Sequence, residues 1–162
     1  MQGFLLVLPV ILNRYGIFGI LGKEASSRVA IFPPAKGKEK AAYWIYQVTT
    51  LILLVGPAFH RAQWNKNLDY AGAALYLLGI LFYLFSSLNV GKPSEEGLNK
   101  SGLYSISRNP MYVAFFIFFL GLNLWIGSWL LLIILTIFQV TVHYLILSEE
   151  RWCIEQFGDA YR

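Results

Sequence analysis

The sequence predicts an all-α integral membrane protein: a bundle of four to five transmembrane helices whose last two form a hairpin. Three observations carry that prediction. Charged residues make up 14% of the 162 residues and hydrophobic ones 57%, where a soluble domain carries about 25% charged residues. The apolar residues gather in stretches of about 17 to 21, the length a helix needs to cross ~30 Å of hydrocarbon. The basic residues fall in the connections, with a strong bias to one face. The length suits one domain, 1–162, with no separate soluble unit.

The first apolar segment is Gly3–Leu21, interrupted by Asn13-Arg14, and it either spans the bilayer or lies partly in the interface. It lacks a basic n-region and an A-x-A site, so a cleaved signal peptide is not expected. Lys23–Lys40 is a polar loop with Pro33-Pro34 and five basic residues. Ala41–His60 and Leu68–Leu88 are the second and third segments, each long enough to span. Asn89–Asn109 is a second polar loop, and Pro110–Ile126 is a fourth segment of only 17 residues. Asn109 suits an N-cap and Pro110 the first helical position, where a missing N–H costs nothing. Gly127-Ser128 makes a tight turn, flanked by Trp125 and Trp129 as expected at a membrane interface. The fifth segment starts at Trp129 and is expected to continue as helix beyond the membrane to Phe157, with Gly158 as its stop.

If all five segments span, Lys23, Arg28, Lys36, Lys38, Lys40, Lys92, Lys100, Arg108, Arg151 and Arg162 share one face. The other face has only Arg61 and Lys66. Ten against two predicts that the first face is cytoplasmic. The net charge of +4 includes no dense basic block, so it reads as membrane orientation and excludes nucleic acid as a partner. The single cysteine, Cys153, allows no intramolecular disulfide. No metal-ligand spacing, Ser-His-Asp order, Walker loop or G-x-G-x-x-G occurs.

Two blocks at the cytoplasmic face stand out. One is Ser101–Tyr112, containing Tyr104, Arg108, Asn109 and Pro110; the other is Ser148-Glu149-Glu150-Arg151 with Phe157–Tyr161 after it. Each has a simpler structural explanation: Arg108 as an anchor to lipid phosphate, the tyrosines as interfacial aromatics, and the acidic pair as a solvated helix exit. In the fifth segment Thr136, Gln139, His143 and Glu150 fall within a sector of about 60° at 100° per residue. Polar side chains in a membrane usually face the bundle interior, so this stripe predicts a polar wall leading to Glu150, which helical phase favours over Glu149. Thr136 and Gln139 alone also suit a hydrogen-bonded seam between helices. A carboxylate at a helix C-terminus is opposed by the dipole, so Glu150 needs a partner, and Arg108 or a ligand is the candidate.

Gly102-x-Tyr104-x3-Arg108-Asn109-Pro110-Met111-Tyr112, an apolar hairpin, then Glu149-Glu150-x6-Phe157-Gly158-x2-Tyr161 resembles the isoprenylcysteine carboxyl methyltransferase family and the related phospholipid methyltransferases. The likeness covers 89–162 well and the first half only in hydrophobic layout. It implies a small membrane methyltransferase using S-adenosylmethionine, enclosed on the cytoplasmic side by the loop before the hairpin and the helix after it. A lipophilic or prenylated substrate, bearing a carboxylate or an amine, would enter sideways from the lipid bilayer. Tyr104, Arg108, Asn109, Pro110, Tyr112, His143, Glu149 and Glu150 are expected at the cofactor, with Arg108 and Glu150 acting in the transfer. Tyr161 corresponds to the family's terminal aromatic. The family usually has His where this chain has Asn109, which hydrogen-bonds but cannot move protons near neutral pH. Relatives usually continue beyond the position of Arg162, so closure over the cofactor is expected to be weaker without such a tail.

Membrane sterol and steroid reductases share part of the pattern, since Glu150-Arg151-x-Cys153 followed by Phe157-Gly158 resembles theirs. That alternative implies NADPH, whose extra phosphate calls for more Arg and Lys than Arg108, Arg151 and Lys100 supply. A non-enzymatic lipid-binding protein is the third reading.

Overall fold

The computed structural model describes residues 2–23, 33–34, 36–64, 66–90, 99, 101–158 and 161. Five long helices account for most of them. Helix α1 (Gly3–Leu21) is α-helical over Gly3–Leu12, widens into a π-helix over Asn13–Ile17 and closes as Phe18–Leu21. Helix α2 (Lys38–Val55) tightens into a 3-10 turn over Gly56–Phe59, where Pro57 removes a backbone donor. Helices α3 (Asn67–Val90), α4 (Pro110–Trp125) and α5 (Trp129–Phe157) follow. A 3-10 turn, Gly102–Ser105, precedes α4. No strand occurs among the described residues.

Four of the helices are long and apolar enough to cross a membrane: Gly3–Leu21, Lys38–Phe59, Asn67–Val90 and Trp129–Phe157. At 16 residues, Pro110–Trp125 is the shorter apolar one. The 29 residues of α5 extend ~43 Å, more than the ~30 Å of a hydrocarbon core. The helix therefore projects past the bilayer, as the sequence predicts, and Gly158 ends it at φ +54°. The outward surface is greasy, with Trp44, Leu51, Leu77, Leu81, Leu130 and Ile133 all exposed. Lipid chains, not water, suit that surface.

One end of the bundle gathers the start of α1 and the α2–α3 and α4–α5 connections. The Gly3 N–H donates to the His60 carbonyl at 2.9 Å and the Gln63 N–H to that of Trp125 at 3.2 Å. Ser128 caps α5 by accepting from the Leu131 N–H at 3.4 Å. At the other end Arg151 of α5 forks onto Glu39 of α2, at 2.5 and 2.9 Å. That bidentate pair ties two helices together.

Helices α3 and α4 approach most closely because they meet through glycine. A Cβ on Gly79 would run into the Phe118 backbone, and one on Gly121 into the backbone of Tyr76. Small residues at such crossings let backbones touch and make van der Waals packing the main attraction in lipid. Around this contact the fully buried Tyr83, Phe118, Phe119, Leu122 and Phe138 form the core.

The structure corrects one expectation about α5. Its inward face is Leu131, Leu135, Phe138, Thr141, Val142, Leu145 and Ser148. Thr136, Gln139 and His143 are exposed on the outer surface, so they form no polar interior wall. The physical reason lies in local bonding: the Thr136 hydroxyl donates to the Leu132 carbonyl at 3.0 Å. Thr136 thereby satisfies its polarity within its own helix and needs no interior partner. Thr141 does the same, donating to Phe138 at 2.8 Å, yet it is buried. Polarity alone does not fix the inward phase of a membrane helix.

Candidate functional site

Between α1, α2, α4 and the projecting end of α5 lies a cavity of about 860 Å³. That is within the range of small-molecule sites, ~300–1,000 Å³. Five of the residues singled out from sequence line it: Tyr104, Arg108, Asn109, Tyr112 and Glu149. Pro110, His143 and Glu150 are not among its lining residues. Pro110 is buried at the start of α4 and fixes where that helix begins. His143 sits on the outer face of α5, away from the cavity.

Glu149 is the acidic residue that turns inward. With Trp152 and Cys153, at i+3 and i+4, it presents one face of the projecting helix to the cavity. The Tyr112 hydroxyl donates to its Oε1 at 2.6 Å, the short distance of a charge-assisted bond. Because Tyr112 is in the first turn of α4 and Glu149 near the end of α5, this bond ties the two arms of the hairpin. Glu150, turned by about 100°, meets Arg108 instead, with Nη1–Oε1 at 3.9 Å and side chains 55% and 32% exposed for Arg108 and Glu150. So long and exposed a bridge stabilises little. Its guanidinium also lies 5.2 Å from the centroid of the Tyr161 ring, a cation–π distance.

Asn109 occupies the N-cap position of α4, but its side chain makes no capping bond. It lines the cavity instead. Tyr104 is held by the turn that begins at Gly102, where φ is +61° and a Cβ would strike the Asn89 side chain. Asn99 Nδ2 donates to the Asn89 carbonyl at 2.5 Å, fastening the same loop to the end of α3. Burial pushes the Tyr104 phenol up to about 12, only partly offset by the Ser86 hydroxyl beside it. Tyr104 is therefore a hydrogen-bond donor, not a base, at neutral pH. Burial also pushes Tyr161 up, with Cys153 and Glu150 nearby adding to the shift.

Aromatic rings make up much of the remaining wall. Tyr46 stacks on Phe138 at 5.4 Å and meets Tyr112 edge-on at 6.4 Å. Neither Tyr46 nor Tyr83 is signalled by sequence motif, because each lies in an apolar segment whose only pattern is hydropathy. Arg14, on the π-helical turn of α1, also lines the cavity. An ionisable residue inside a span is the signal that marks it. Among the described residues no group of three His, Cys, Asp or Glu could hold a metal ion.

A family model described as phospholipid methyltransferase matches residues 68–160. No curated protein and no solved structure matches the chain. The matched stretch covers more than half of the 162 residues, taking in nearly all of α3, the loop with Tyr104 and Arg108, and the whole α4–α5 hairpin that meets at Tyr112 and Glu149. The chain belongs to the phospholipid methyltransferase family of integral membrane methyltransferases.

Proposed function

We propose that the chain transfers a methyl group from S-adenosylmethionine to a lipophilic acceptor, a carboxylate or an amine, at the cytoplasmic face of the membrane. The observation that carries the reading is Glu149: a carboxylate fixed by Tyr112 at 2.6 Å inside a largely aromatic cavity. Such a site suits a bound cation, because ring faces and a carboxylate both attract positive charge. When bound, S-adenosylmethionine supplies an electrophilic methyl on a positively charged sulfur, and the sulfur leaves as a neutral thioether. Tyr112 holds the Glu149 carboxylate in one orientation. Arg108 and Asn109 offer donors for the polar end of the cofactor, and Tyr104 donates from the opposing loop. The apolar walls exclude water, so in-line positioning and fixed charge provide most of the acceleration.

The acceptor needs a lone pair facing the methyl group. A carboxylate has one at neutral pH, and Arg108 orients it. An amine must first lose its proton, and the half-exposed Glu150 beside Arg108 offers that proton a path to water. The cytoplasmic assignment draws its support from the sequence, in which ten basic residues fall in connections expected on one face and two in those expected on the other.

Equilibrium binding to the detergent-purified protein tests the reading, with NADPH measured in parallel. Saturable binding of S-adenosylmethionine alone, lost in Glu149→Gln and reduced in Arg108→Gln, is the expected result. Binding of NADPH alone would favour the reductase reading. Folded protein that binds neither would overturn both.

A further inference from the structure

The polar stripe of α5 lies outside the cavity, and the chemistry of the cavity gives it no use. Thr136, Gln139 and His143 are exposed on a helix long and apolar enough to cross a membrane. Gln139 is ten residues beyond Trp129. At a rise of ~1.5 Å per residue it stands ~15 Å along α5 from the interfacial tryptophan, at the middle of a ~30 Å hydrocarbon core. Its outward neighbours Ile133, Val140 and Leu147 are exposed and apolar, as acyl chains require. A carboxamide has two N–H donors and an acceptor oxygen, and acyl chains satisfy none of them. Thr136 bonds within its own helix, to the Leu132 carbonyl. Gln139 and His143 make no hydrogen bond among the described residues. The His143 ring meets Tyr144 edge-on at 6.0 Å, a contact that uses neither ring nitrogen.

The spacing of these residues says what kind of surface satisfies them. Leu132, Thr136, Gln139, His143 and Ile146 follow one another at intervals of four, three, four and three. That is the seven-residue repeat of a seam between two helices crossing at about 20°. Leu132 and Ile146 are half-buried, and the three polar residues between them are exposed. All copies of one chain insert with the same orientation. A two-fold axis along the membrane normal therefore brings the same face of α5 together at the same depth. Gln139 then meets Gln139 of the second copy. A carboxamide is complementary to itself, because each N–H can donate to the other oxygen, and a neutral imidazole likewise has one donor and one acceptor. An unlike partner would need a polar group placed at the matching depth, whereas a second copy necessarily has one. A lone polar residue in a helical seam also fixes register and number of chains.

We infer that the outer face of α5 docks within the membrane against the same face of a second copy of this chain, joined through Gln139 and His143. The seam and the cavity use different faces of α5, since Phe138 and Glu149 line the cavity and Gln139 and His143 do not. The inference therefore stands apart from the methyltransferase reading.

The test follows the full chain in dioleoyl phosphatidylcholine vesicles. Lys66→Cys in a Cys153→Ala background carries donor or acceptor dye, and energy transfer is measured as lipid dilutes the protein. A saturable dimer is expected. Gln139→Leu should move its dissociation midpoint about tenfold or more toward higher protein density, and His143→Leu by a smaller factor. Thr136→Cys in the same background should oxidise to a covalent dimer, while Leu81→Cys, exposed on α3, should not. If Gln139→Leu does not fold, this cross-link carries the test, and its absence overturns the inference. Energy transfer no greater than that of randomly placed chains overturns it, as does an unchanged midpoint in the folded Gln139→Leu/His143→Leu double variant. Cross-linking of Leu81→Cys as readily as Thr136→Cys would place any dimer on another face and sink the seam. So would a Thr136→Cys product in membranes of the expressing cells that contains a different protein. Dimers that depend on Gln139 in a chain that binds no S-adenosylmethionine would uphold the seam and reject only the enzymatic reading.

Discussion

Tyr112 and Glu149 meet across 37 positions of sequence, and their bond shows what one residue contributes to the site. A hydrogen bond to a charged group contributes roughly 1.5–3 kcal/mol. Tyr112→Phe removes the donor and leaves the carboxylate oriented only by packing. The expected result is a loss of S-adenosylmethionine affinity of roughly tenfold to a hundredfold, with the fold intact because the ring remains. Isothermal titration of the purified variant measures it, and an unchanged affinity would remove Tyr112 and Glu149 from the cofactor site. At this scale the motifs read from sequence meet in space, and of the acidic pair it is Glu149, not Glu150, that lines the cavity. Tyr104, Arg108, Asn109, Tyr112 and Glu149 are all named by their motifs and all line one cavity. Glu150 is favoured over Glu149 only because its phase matches Thr136, Gln139 and His143. Arg14 is visible as an interruption in the first segment, but nothing in the sequence signals the π-turn that aims it.

Elements are more legible than side chains, because hydropathy is summed over many residues and a single exception changes little. The five apolar segments correspond to the five long helices within a few residues at each end. The signals at Asn109-Pro110, Gly127-Ser128 and Gly158 fall where helices start, turn and stop. Helical phase is harder to read. A soluble helix separates apolar from polar faces, but a membrane helix faces apolar surroundings on both sides, so its inward face is set by packing shape. For α5 that face is Phe138, Val142 and Leu145, which no polarity pattern marks. The outward position of Gln139 and His143 leads to a prediction: Gln139→Leu and His143→Leu, separately and together, should leave S-adenosylmethionine affinity and expression within about twofold of the unaltered chain, since exposed changes cost little. A fall in affinity of tenfold or more in His143→Leu would put the histidine back at the site.

The whole molecule has two unlike ends, and that asymmetry determines which soluble compounds reach the cavity. One end carries tight turns and Trp125, whose indole N–H donates to the Gln63 carbonyl at 3.1 Å, with Trp129 exposed beside it. The other carries the Glu39–Arg151 fork, the Tyr104 loop and the projecting end of α5. The cavity lies toward this second end, and so do Lys23, Lys36, Lys38, Lys40, Arg108 and Arg151 among the described residues, against Arg61 and Lys66 at the first. A positive excess of that size resists translocation, so the cavity end should remain in the cytoplasm, the compartment where nucleotide-derived cofactors are made. Single cysteines placed in a Cys153→Ala background report the arrangement in intact cells. Lys66→Cys, between α2 and α3, should react with a membrane-impermeant maleimide added outside. Lys36→Cys, just before α2, should react only after the membrane is permeabilised. The reverse pattern would put the cavity on the external face, away from a cytoplasmic supply of S-adenosylmethionine. The methyltransferase reading would then need a cofactor delivered from outside the cell, and that requirement would count against it more heavily than any single substitution.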